Sequence, residues 1–249
     1  MQTHLTILTG ASRGLGVALA EQLLKPGHHL LTISRRNAEL WVVQGSNLEQ
    51  WAMDLAEPAP VAARLQAWLA ALDSAQHASA TLINNAGVVA SPAPLGMGTA
   101  AELSNAIRVG LEAPLLLTSA FLRATATWQI TRKVLFISSG LGRRAMAGSS
   151  SYCAAKAGID HLARALALEE AGQPNGAGVV SLAPGVIDTD MQVQLRGADA
   201  ALFPDRERFV QLKSTGQLDS PAQAAEKVLA YLARANFGAQ PVADVRDPA

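Results

Sequence analysis

The chain has 249 residues, 49% of them hydrophobic but only 4% aromatic, and its 20 basic residues balance 20 acidic ones. This length suits one large α/β domain or two small ones, and zero net charge gives no field that favours nucleic acid or an anionic membrane. The single cysteine, Cys153, excludes an intramolecular disulfide and favours a reducing compartment, so we expect a cytoplasmic protein that acts on a small molecule.

The first predicted element is a buried strand from Leu5 to Thr9, with no basic segment before it and no 18-residue apolar run after it, so neither signal peptide nor membrane span is expected. A glycine-rich turn follows this strand, and an apolar helix then runs to Pro26-Gly27. In such a unit the glycines let the backbone approach a pyrophosphate, whose charge the first helical amides bind. The expected dinucleotide contacts are Gly10, Ser12, Arg13, Gly14, Leu15 and Gly16.

The second predicted strand, His29 to Ile33, ends at Ser34-Arg35-Arg36. Dinucleotide-binding folds carry an acidic residue about 20 positions after the glycine turn, where it binds ribose hydroxyls. Arg35 stands at this position, and a guanidinium suits the 2′-phosphate of NADP, which Arg13 could also reach. The sequence therefore predicts NADPH/NADP+ as the cofactor, with a pair of solvated arginines as the alternative interpretation.

Two further strand ends carry small or polar residues. A weaker strand from Asn47 to Met53 ends at Asp54-Leu55, where Asp54 could accept a hydrogen bond from adenine or close a turn. A helix is predicted over 58–74, and the next strand, 81–83, leads into an amide-rich loop. That loop allows contact with a cofactor and a hydrogen bond between neighbouring strands. The expected cofactor contacts here are Asp54, Leu55, Asn85, Ala86 and Gly87.

Candidate catalytic residues follow the next strand. A long apolar helix over 112–125 precedes the strand 133–137, which ends near Ser139. An Ala-rich helix is predicted from Cys153 to Glu170, directly after Tyr152. Tyr152 and Lys156 are four residues apart, so at helical spacing their side chains share one face. The reference pKa of a tyrosine is about 10, and the ammonium of Lys156 is expected to lower it. Ser139 and Tyr152 could then donate to one substrate oxygen, as carbonyl reduction requires.

The last predicted strand, 178–182, is followed by a segment in the crevice where ligands bind in open α/β sheets. The expected cofactor contacts in that segment are Pro184, Gly185, Ile187, Thr189 and Met191, with Tyr152 and Lys156 added from the catalytic helix. We expect residues 190–216 to form a flap over the substrate, and a final helix to run from Pro221 to about Ala235. No linker or repeat interrupts the chain, so residues 1–249 are predicted to form a single α/β domain with a doubly wound parallel sheet and helices on both faces.

These motifs resemble the short-chain dehydrogenases/reductases over nearly the whole chain. The shared motifs are Thr9-Gly10-x-x-x-Gly14-x-Gly16, Asn84-Asn85-Ala86-Gly87, Ser139, Tyr152-x-x-x-Lys156 and Pro184-Gly185. The resemblance implies a Rossmann fold, a nicotinamide cofactor and assembly as a homodimer or homotetramer. It also implies that Tyr152 is the general acid, that Lys156 binds the nicotinamide ribose, and that Ser139 orients the substrate carbonyl.

A narrower resemblance involves segments 152–156, 166–170, 183–192 and 212–218, which are similar to sepiapterin reductases and bacterial benzil (1,2-diketone) reductases. In sepiapterin reductases an acidic residue near the C-terminus holds the pterin, and Asp247 is the nearest match, with a solvated carboxylate as the alternative. Ser139, Gly185 and Asp247 are thus the expected substrate contacts. The resemblance implies NADPH-dependent reduction of a ketone or vicinal dicarbonyl; the alternatives are a 3-oxoacyl-thioester reductase and a non-catalytic NADP-binding redox sensor.

One position departs from the family pattern. The family usually carries an Asn whose backbone holds a water that relays protons to the lysine, whereas this chain has Gly110. We expect the helix kink that the Asn side chain stabilises to be lost, and activity to be reduced, although the carbonyl of Gly110 could still bind water. Gly110→Asn is hypothesised to alter the pH profile of turnover. The five histidines show no ligand spacing, so no metal site is predicted.

Overall fold

Seven parallel strands form one sheet in the order β3-β2-β1-β4-β5-β6-β7 in the computed structural model, which describes residues 2–248. The order reverses between β1 and β4, the kind of switch point at which open α/β sheets bind ligands. This arrangement confirms the predicted doubly wound sheet. The strands are β1 Thr3–Thr9, β2 His28–Ser34, β3 Asn47–Ala52, β4 His77–Asn84, β5 Thr131–Ile137, β6 Gly178–Ala183 and β7 Val242–Asp244.

Helices cover both faces of this sheet. The helices are α1 Gly14–Leu23, α2 Pro58–Ala70, α3 Ala100–Ile107, α4 Ala113–Ala124, α5 Ser150–Ala171, α6 Asp190–Arg196, α7 Arg206–Ser214 and α8 Pro221–Leu232. One buried cluster joins the sheet to α2, α4 and α5 through Leu65, Leu117 and Ile159, and a second joins it to α1 and α8 through Leu19 and Val228. Within residues 2–248, no helix is long and apolar enough to cross a membrane.

The segment expected to form a flap, 190–216, contains two helices, α6 and α7. Its Leu195, Phe203 and Phe209 form a small buried cluster with Met146, which lies between β5 and α5. The helix α3 and the strand β7 are not among the predicted elements. The strand β7 has only three residues, too few to show an alternating pattern in the sequence. It is recognised as a strand only through its pairing with β6.

Between α3 and α4, residues Arg108–Glu112 form a π-helical turn. A π-helical turn is one of the irregularities at which helices kink, so this segment departs from a regular α-helix without an Asn side chain at Gly110. Gly110 is buried, and a Cβ added there would lie 3.0 Å from the Cβ of Ala155 on α5. The glycine thus allows this turn to approach the helix that carries Tyr152 and Lys156.

Candidate functional site

A cleft of about 840 Å³ lies at the carboxyl ends of the strands. Residues that directly follow β1, β2, β4, β5 and β6 all line it, as the switch-point rule anticipates. Every residue expected to bind the cofactor is in this lining: Gly10, Ser12, Arg13, Gly14, Leu15, Gly16, Arg35, Asp54, Leu55, Asn85, Ala86, Gly87, Tyr152, Lys156, Pro184, Gly185, Ile187, Thr189 and Met191.

The glycine turn is tightly packed. Gly10 has a φ of +70°, and a Cβ added there would lie 2.8 Å from the Cα of Ala86. A Cβ on Gly16 would lie 1.9 Å from the carbonyl oxygen of Gly10, so the turn requires glycine at both positions. The first turn of α1 has no side-chain cap, which leaves its backbone N–H groups as donors. Uncapped amides in a cleft lining suit an anion such as a pyrophosphate.

Asn85 ties the end of β4 to the end of β1. Its Nδ2 donates to the carbonyl oxygens of Thr9 and Gly10 at 3.0 and 3.1 Å. In return, the Thr9 hydroxyl oxygen accepts from the backbone N–H groups of Asn85 and Ala86, both at 3.0 Å. The predicted hydrogen bond between neighbouring strands at this loop is therefore present, and it fixes the floor of the cleft.

At the far end of the cleft, Arg35 is exposed and lines the cavity. The carboxylate of Asp54 accepts a hydrogen bond from the backbone N–H of Ala56 at 2.9 Å. Of the two roles predicted for Asp54, adenine binding and turn closure, the structure therefore contains the turn closure. Arg13 donates to the carboxylate of Asp190 at 2.9 Å, across the cleft from the glycine turn to the start of α6. A shared role of Arg13 and Arg35 on one phosphate therefore stays a prediction.

The candidate catalytic side chains come from α5 and the end of β5. The ammonium of Lys156 donates to the carbonyl oxygen of Ile137 at 2.7 Å and lies 5.6 Å from the ring centroid of Tyr152. The Ser139 side-chain oxygen accepts the N–H of Leu141 at 3.2 Å. The structure thus brings Ser139, Tyr152 and Lys156 together in the lining of one cleft.

Burial dominates the protonation of this group. It raises the pKa of Tyr152 to about 12, although hydrogen bonding with Ser139 acts in the opposite direction. Burial also lowers the pKa of Lys156 to about 8, opposed by the negative charge of Asp160. The expectation that Lys156 lowers the pKa of Tyr152 below its usual value is wrong here, because burial raises that pKa. The phenol is therefore protonated at neutral pH, which is the form that a general acid requires.

The expected substrate contact Asp247 is absent from the cleft lining. Its carboxylate instead accepts the backbone N–H of Asp244 at 2.7 Å and closes the turn after β7. Asp244 lines the cleft, is 8% exposed, and accepts from the guanidinium of Arg246 at 2.7 and 2.6 Å. Hydrogen bonding from Arg246 is the main cause that lowers the pKa of Asp244. Sequence reasoning missed this residue because β7 was not predicted.

Other lining residues come from elements whose position depends on tertiary packing. Those not assigned from the sequence include Asn105, Val109, Leu141, Arg144, Gln192, Leu195, Arg208 and Phe209. Most of these residues lie on α3, α6 and α7 or on the turns next to them. Gln192, Leu195, Arg208 and Phe209 lie within the segment expected to cover the substrate, 190–216, although none was predicted individually. The other four residues, Asn105, Val109, Leu141 and Arg144, carry no local sequence signal.

Known proteins give an independent comparison. The family model for short chain dehydrogenases matches residues 4–200. The chain is 34% identical to benzil reductase ((S)-benzoin forming) from Bacillus cereus over 93% of this chain and 94% of that one. It is 35% identical to sepiapterin reductase from Rattus norvegicus over 93% of this chain and 92% of that one. A Beutenbergia cavernae protein solved with bound NADP matches with a TM-score of 0.79 and 27% identity, covering 98% of this chain and 96% of that one.

These matches agree with the parallel sheet flanked by helices. They confirm the resemblance noted from the sequence, both to the family and to its sepiapterin and benzil reductases. The chain belongs to the short-chain dehydrogenase/reductase family and is an oxidoreductase that acts on carbonyl or hydroxyl groups.

Proposed function

We propose that this protein is an NADPH-dependent carbonyl reductase that converts a ketone or vicinal dicarbonyl to the alcohol. The observation that carries the proposal is the cluster of Tyr152, Ser139 and Lys156. It lies in the same cleft as the glycine turn and the N-terminus of α1, which has no side-chain cap. A protonated phenol beside a second hydroxyl provides two donors for one substrate oxygen. This arrangement stabilises the negative charge that develops on that oxygen during reduction.

The residues of the cleft fit a nicotinamide dinucleotide phosphate. The glycine turn and the first amides of α1 would hold the pyrophosphate, and Arg35 would pair with the 2′-phosphate. Asp54 and Leu55 would border the adenine half. The nicotinamide half would lie against Asn85, Ala86, Gly87, Pro184, Gly185, Ile187, Thr189 and Met191. When bound, this cofactor supplies the hydride that reduces the carbonyl carbon.

The chain's own groups then handle the proton and the charge. Tyr152 gives its phenolic proton to the carbonyl oxygen, while Ser139 donates a hydrogen bond to the same atom and orients it. Lys156, held by the carbonyl of Ile137, keeps a positive charge beside the phenol and favours the phenolate that forms when the proton leaves. General acid catalysis of this kind contributes about 10²–10⁴-fold in rate.

The substrate class is supported by the wall of the cleft and by the named relatives. Val109, Leu141, Leu195 and Phe209 give the cavity an apolar side that suits an uncharged carbonyl compound. Benzil is an aromatic 1,2-diketone, and the side chain of sepiapterin also carries a carbonyl next to an unsaturated carbon. We therefore propose a substrate with two adjacent electrophilic carbons, and Asp244 and Gly185 as residues that contact it.

Assembly as a homodimer or homotetramer is part of the same proposal. It is supported by two large apolar side chains that stand exposed on long helices, Leu115 on α4 at 44% and Leu168 on α5 at 79%. Light scattering coupled to gel filtration tests this point, and a monomeric mass would contradict it.

A substrate panel tests the proposed activity. Purified protein is mixed with NADPH and, separately, with aromatic 1,2-diketones, simple ketones and a 3-oxoacyl thioester, while the absorbance of NADPH is followed. We expect the highest kcat/KM with a vicinal diketone. A higher value with the thioester would favour a 3-oxoacyl reductase, and NADPH binding without oxidation by any carbonyl would favour a redox sensor.

A further inference from the structure

Asp160 places a carboxylate inside the protein, one helical turn after Lys156 and two turns after Tyr152 on α5. Its side chain is only 2% exposed. One carboxylate oxygen accepts hydrogen bonds from the hydroxyls of Ser138 at 2.6 Å and Ser181 at 2.7 Å, and the other accepts from Nε of Arg143 at 3.2 Å. All three donors lie outside α5, so this carboxylate joins separate parts of the chain.

The contacts of Asp160 surround the catalytic serine. Ser138 directly precedes Ser139, and Arg143 directly follows the short helical turn Gly140–Gly142 that Ser139 begins. This turn lies on α5 so closely that a Cβ added to Gly142 would be 2.8 Å from the carboxylate oxygen of Asp160 and 2.9 Å from the carbonyl oxygen of Lys156. The distance between Ser139 and the face of α5 that carries Tyr152 therefore depends on this carboxylate.

A buried carboxylate is an unfavourable choice if the only requirement is to hold these segments together. Apolar residues of similar volume often replace a buried ion pair with no loss of stability. The charge of Asp160 also acts on Lys156, where it opposes the fall in pKa that burial causes. A lysine that must stay cationic in a buried position needs such a partner, because desolvation alone favours its neutral form.

Other charged groups face this pair from the surrounding elements. Tyr152 lies beside Lys156 on the same helix. From the turn after β5, Arg143 pairs with Asp160 and also donates to the carbonyl of Ala243 at 2.7 Å. Its charge contributes to the lowered pKa of Asp244, which is itself paired with Arg246 after β7. Two ion pairs, Asp160 with Arg143 and Asp244 with Arg246, therefore lie near Lys156 and the cleft wall.

We propose that Asp160 is a positioning residue for the reductase reaction proposed above. Its carboxylate holds the end of β5, and with it Ser139, against the helix that carries Tyr152, and its negative charge lies one helical turn after Lys156. The role is indirect, because Asp160 acts through Ser138, Arg143 and Lys156 rather than through the substrate.

The titration of Lys156 tests this role without any substrate. The chain has five lysines, so protein labelled with [13C]lysine gives a simple NMR spectrum in which Lys156→Met identifies the Lys156 signal. We expect Asp160→Asn to lower the midpoint of the Lys156 titration by about one pH unit, because an anion next to the ammonium is removed. Mere loosening of the packing would admit water and raise the midpoint toward the ordinary lysine value, which is the opposite direction.

Glu169→Gln is the matched control, since it removes one negative charge from an exposed position of the same helix and should leave the midpoint unchanged. We also expect kcat of Asp160→Asn to fall by about 100-fold, with NADPH binding retained, because Ser139 loses its fixed position. A Lys156 midpoint that stays constant or rises in Asp160→Asn would overturn the proposal. Absence of turnover in the wild-type protein would instead refute the reductase function and leave the titration result standing.

A second variant covers the case in which Asp160→Asn does not fold because Arg143 is left unpaired. The double variant Asp160→Asn/Arg143→Gln removes both charges, a change that buried pairs tolerate better than the loss of one partner. Its Lys156 midpoint should lie below that of Arg143→Gln alone. Equal midpoints in these two variants, or failure of both Asp160 variants to fold, would make Asp160 a structural residue only.

Discussion

The ammonium of Lys156 donates a 2.7 Å hydrogen bond to the carbonyl oxygen of Ile137, the last residue of the strand that leads to Ser139. This bond joins the catalytic helix α5 directly to β5. It also fixes the lysine in a buried position, where desolvation lowers its pKa to about 8. Position and protonation of Lys156 therefore have the same structural origin.

The pKa of Lys156 predicts how activity depends on pH. Below pH 8 the ammonium is charged and supports the phenolate of Tyr152, and above it this support is lost as the proton leaves. Because the pKa of Tyr152 is about 12, the phenol stays protonated over the same range. We expect kcat/KM, which reports on the free enzyme, to fall as pH rises through about 8. A value that stays constant up to about pH 10 would contradict this assignment.

Arg35 should determine the choice between NADPH and NADH. Its guanidinium is exposed, lines the cleft and stands where a ribose-binding acid is found in NAD-binding relatives of this fold. We expect Arg35→Gln to weaken NADPH binding by about tenfold or more, since a charge-assisted hydrogen bond is lost, and to leave NADH binding unchanged. Fluorescence titration with each nucleotide measures both.

The matched control for this change is Arg36→Gln, which removes the same charge from the neighbouring exposed residue outside the cleft lining. It should weaken NADPH binding only slightly. If Arg35→Gln weakened NADPH and NADH to the same extent, the assignment of Arg35 to the 2′-phosphate would be wrong.

The close approach of Gly110 to Ala155 predicts a coupled pair. A Cβ at position 110 would lie 3.0 Å from the Cβ of Ala155, too close for an unstrained contact. We expect Gly110→Ala to lower the free energy of unfolding by about 1–3 kcal/mol, the usual cost of overpacking, as measured by urea denaturation. In the double variant Gly110→Ala/Ala155→Gly, the loss in free energy of unfolding should be smaller than the sum of the losses in the two single variants. Simple additivity would rule out this contact as the reason for glycine.

His77 should make the fold sensitive to acid. The residue is 4% exposed, its ring stacks on Trp128, and burial is the main cause that lowers its pKa. Because the unfolded chain then takes up a proton more readily, the free energy of unfolding should fall as pH drops through about 6.5 and level off below the folded pKa.

Replacement of His77 by Asn should remove this part of the acid sensitivity. The measurement is denaturant unfolding at about pH 5 and pH 7.5, with His161→Asn, an exposed change on α5, as the control. If the difference between the two pH values were as large in His77→Asn as in the wild-type protein, His77 would not be its source.

Local sequence patterns were sufficient where function depends on adjacent residues. The run from Gly10 to Gly16 and the four-residue spacing of Tyr152 and Lys156 each determine geometry within one turn or one helix, so their meeting in a cleft could be predicted. Asp244 could not, because its strand exists only through pairing with β6.

The expected direction of the pKa shift of Tyr152 is wrong for a related reason. Sequence spacing brings a cation near the phenol, but it does not reveal how deeply the helices bury that phenol, and burial decides the direction of the shift. The roles of Asp160 and Gly110 likewise depend on contacts between segments far apart along the chain. What the sequence cannot predict is therefore the environment that a residue has in the folded protein.

The most direct test of the central claim is the turnover of Tyr152→Phe with NADPH and a vicinal diketone. The chain has only two tyrosines, so Tyr231→Phe is a natural control for loss of a phenolic hydroxyl outside the cleft lining. We expect Tyr152→Phe to bind NADPH but to lose about 10²–10⁴-fold in kcat, while Tyr231→Phe keeps its activity. Turnover of Tyr152→Phe at the wild-type rate would contradict the assignment of this phenol as the proton donor.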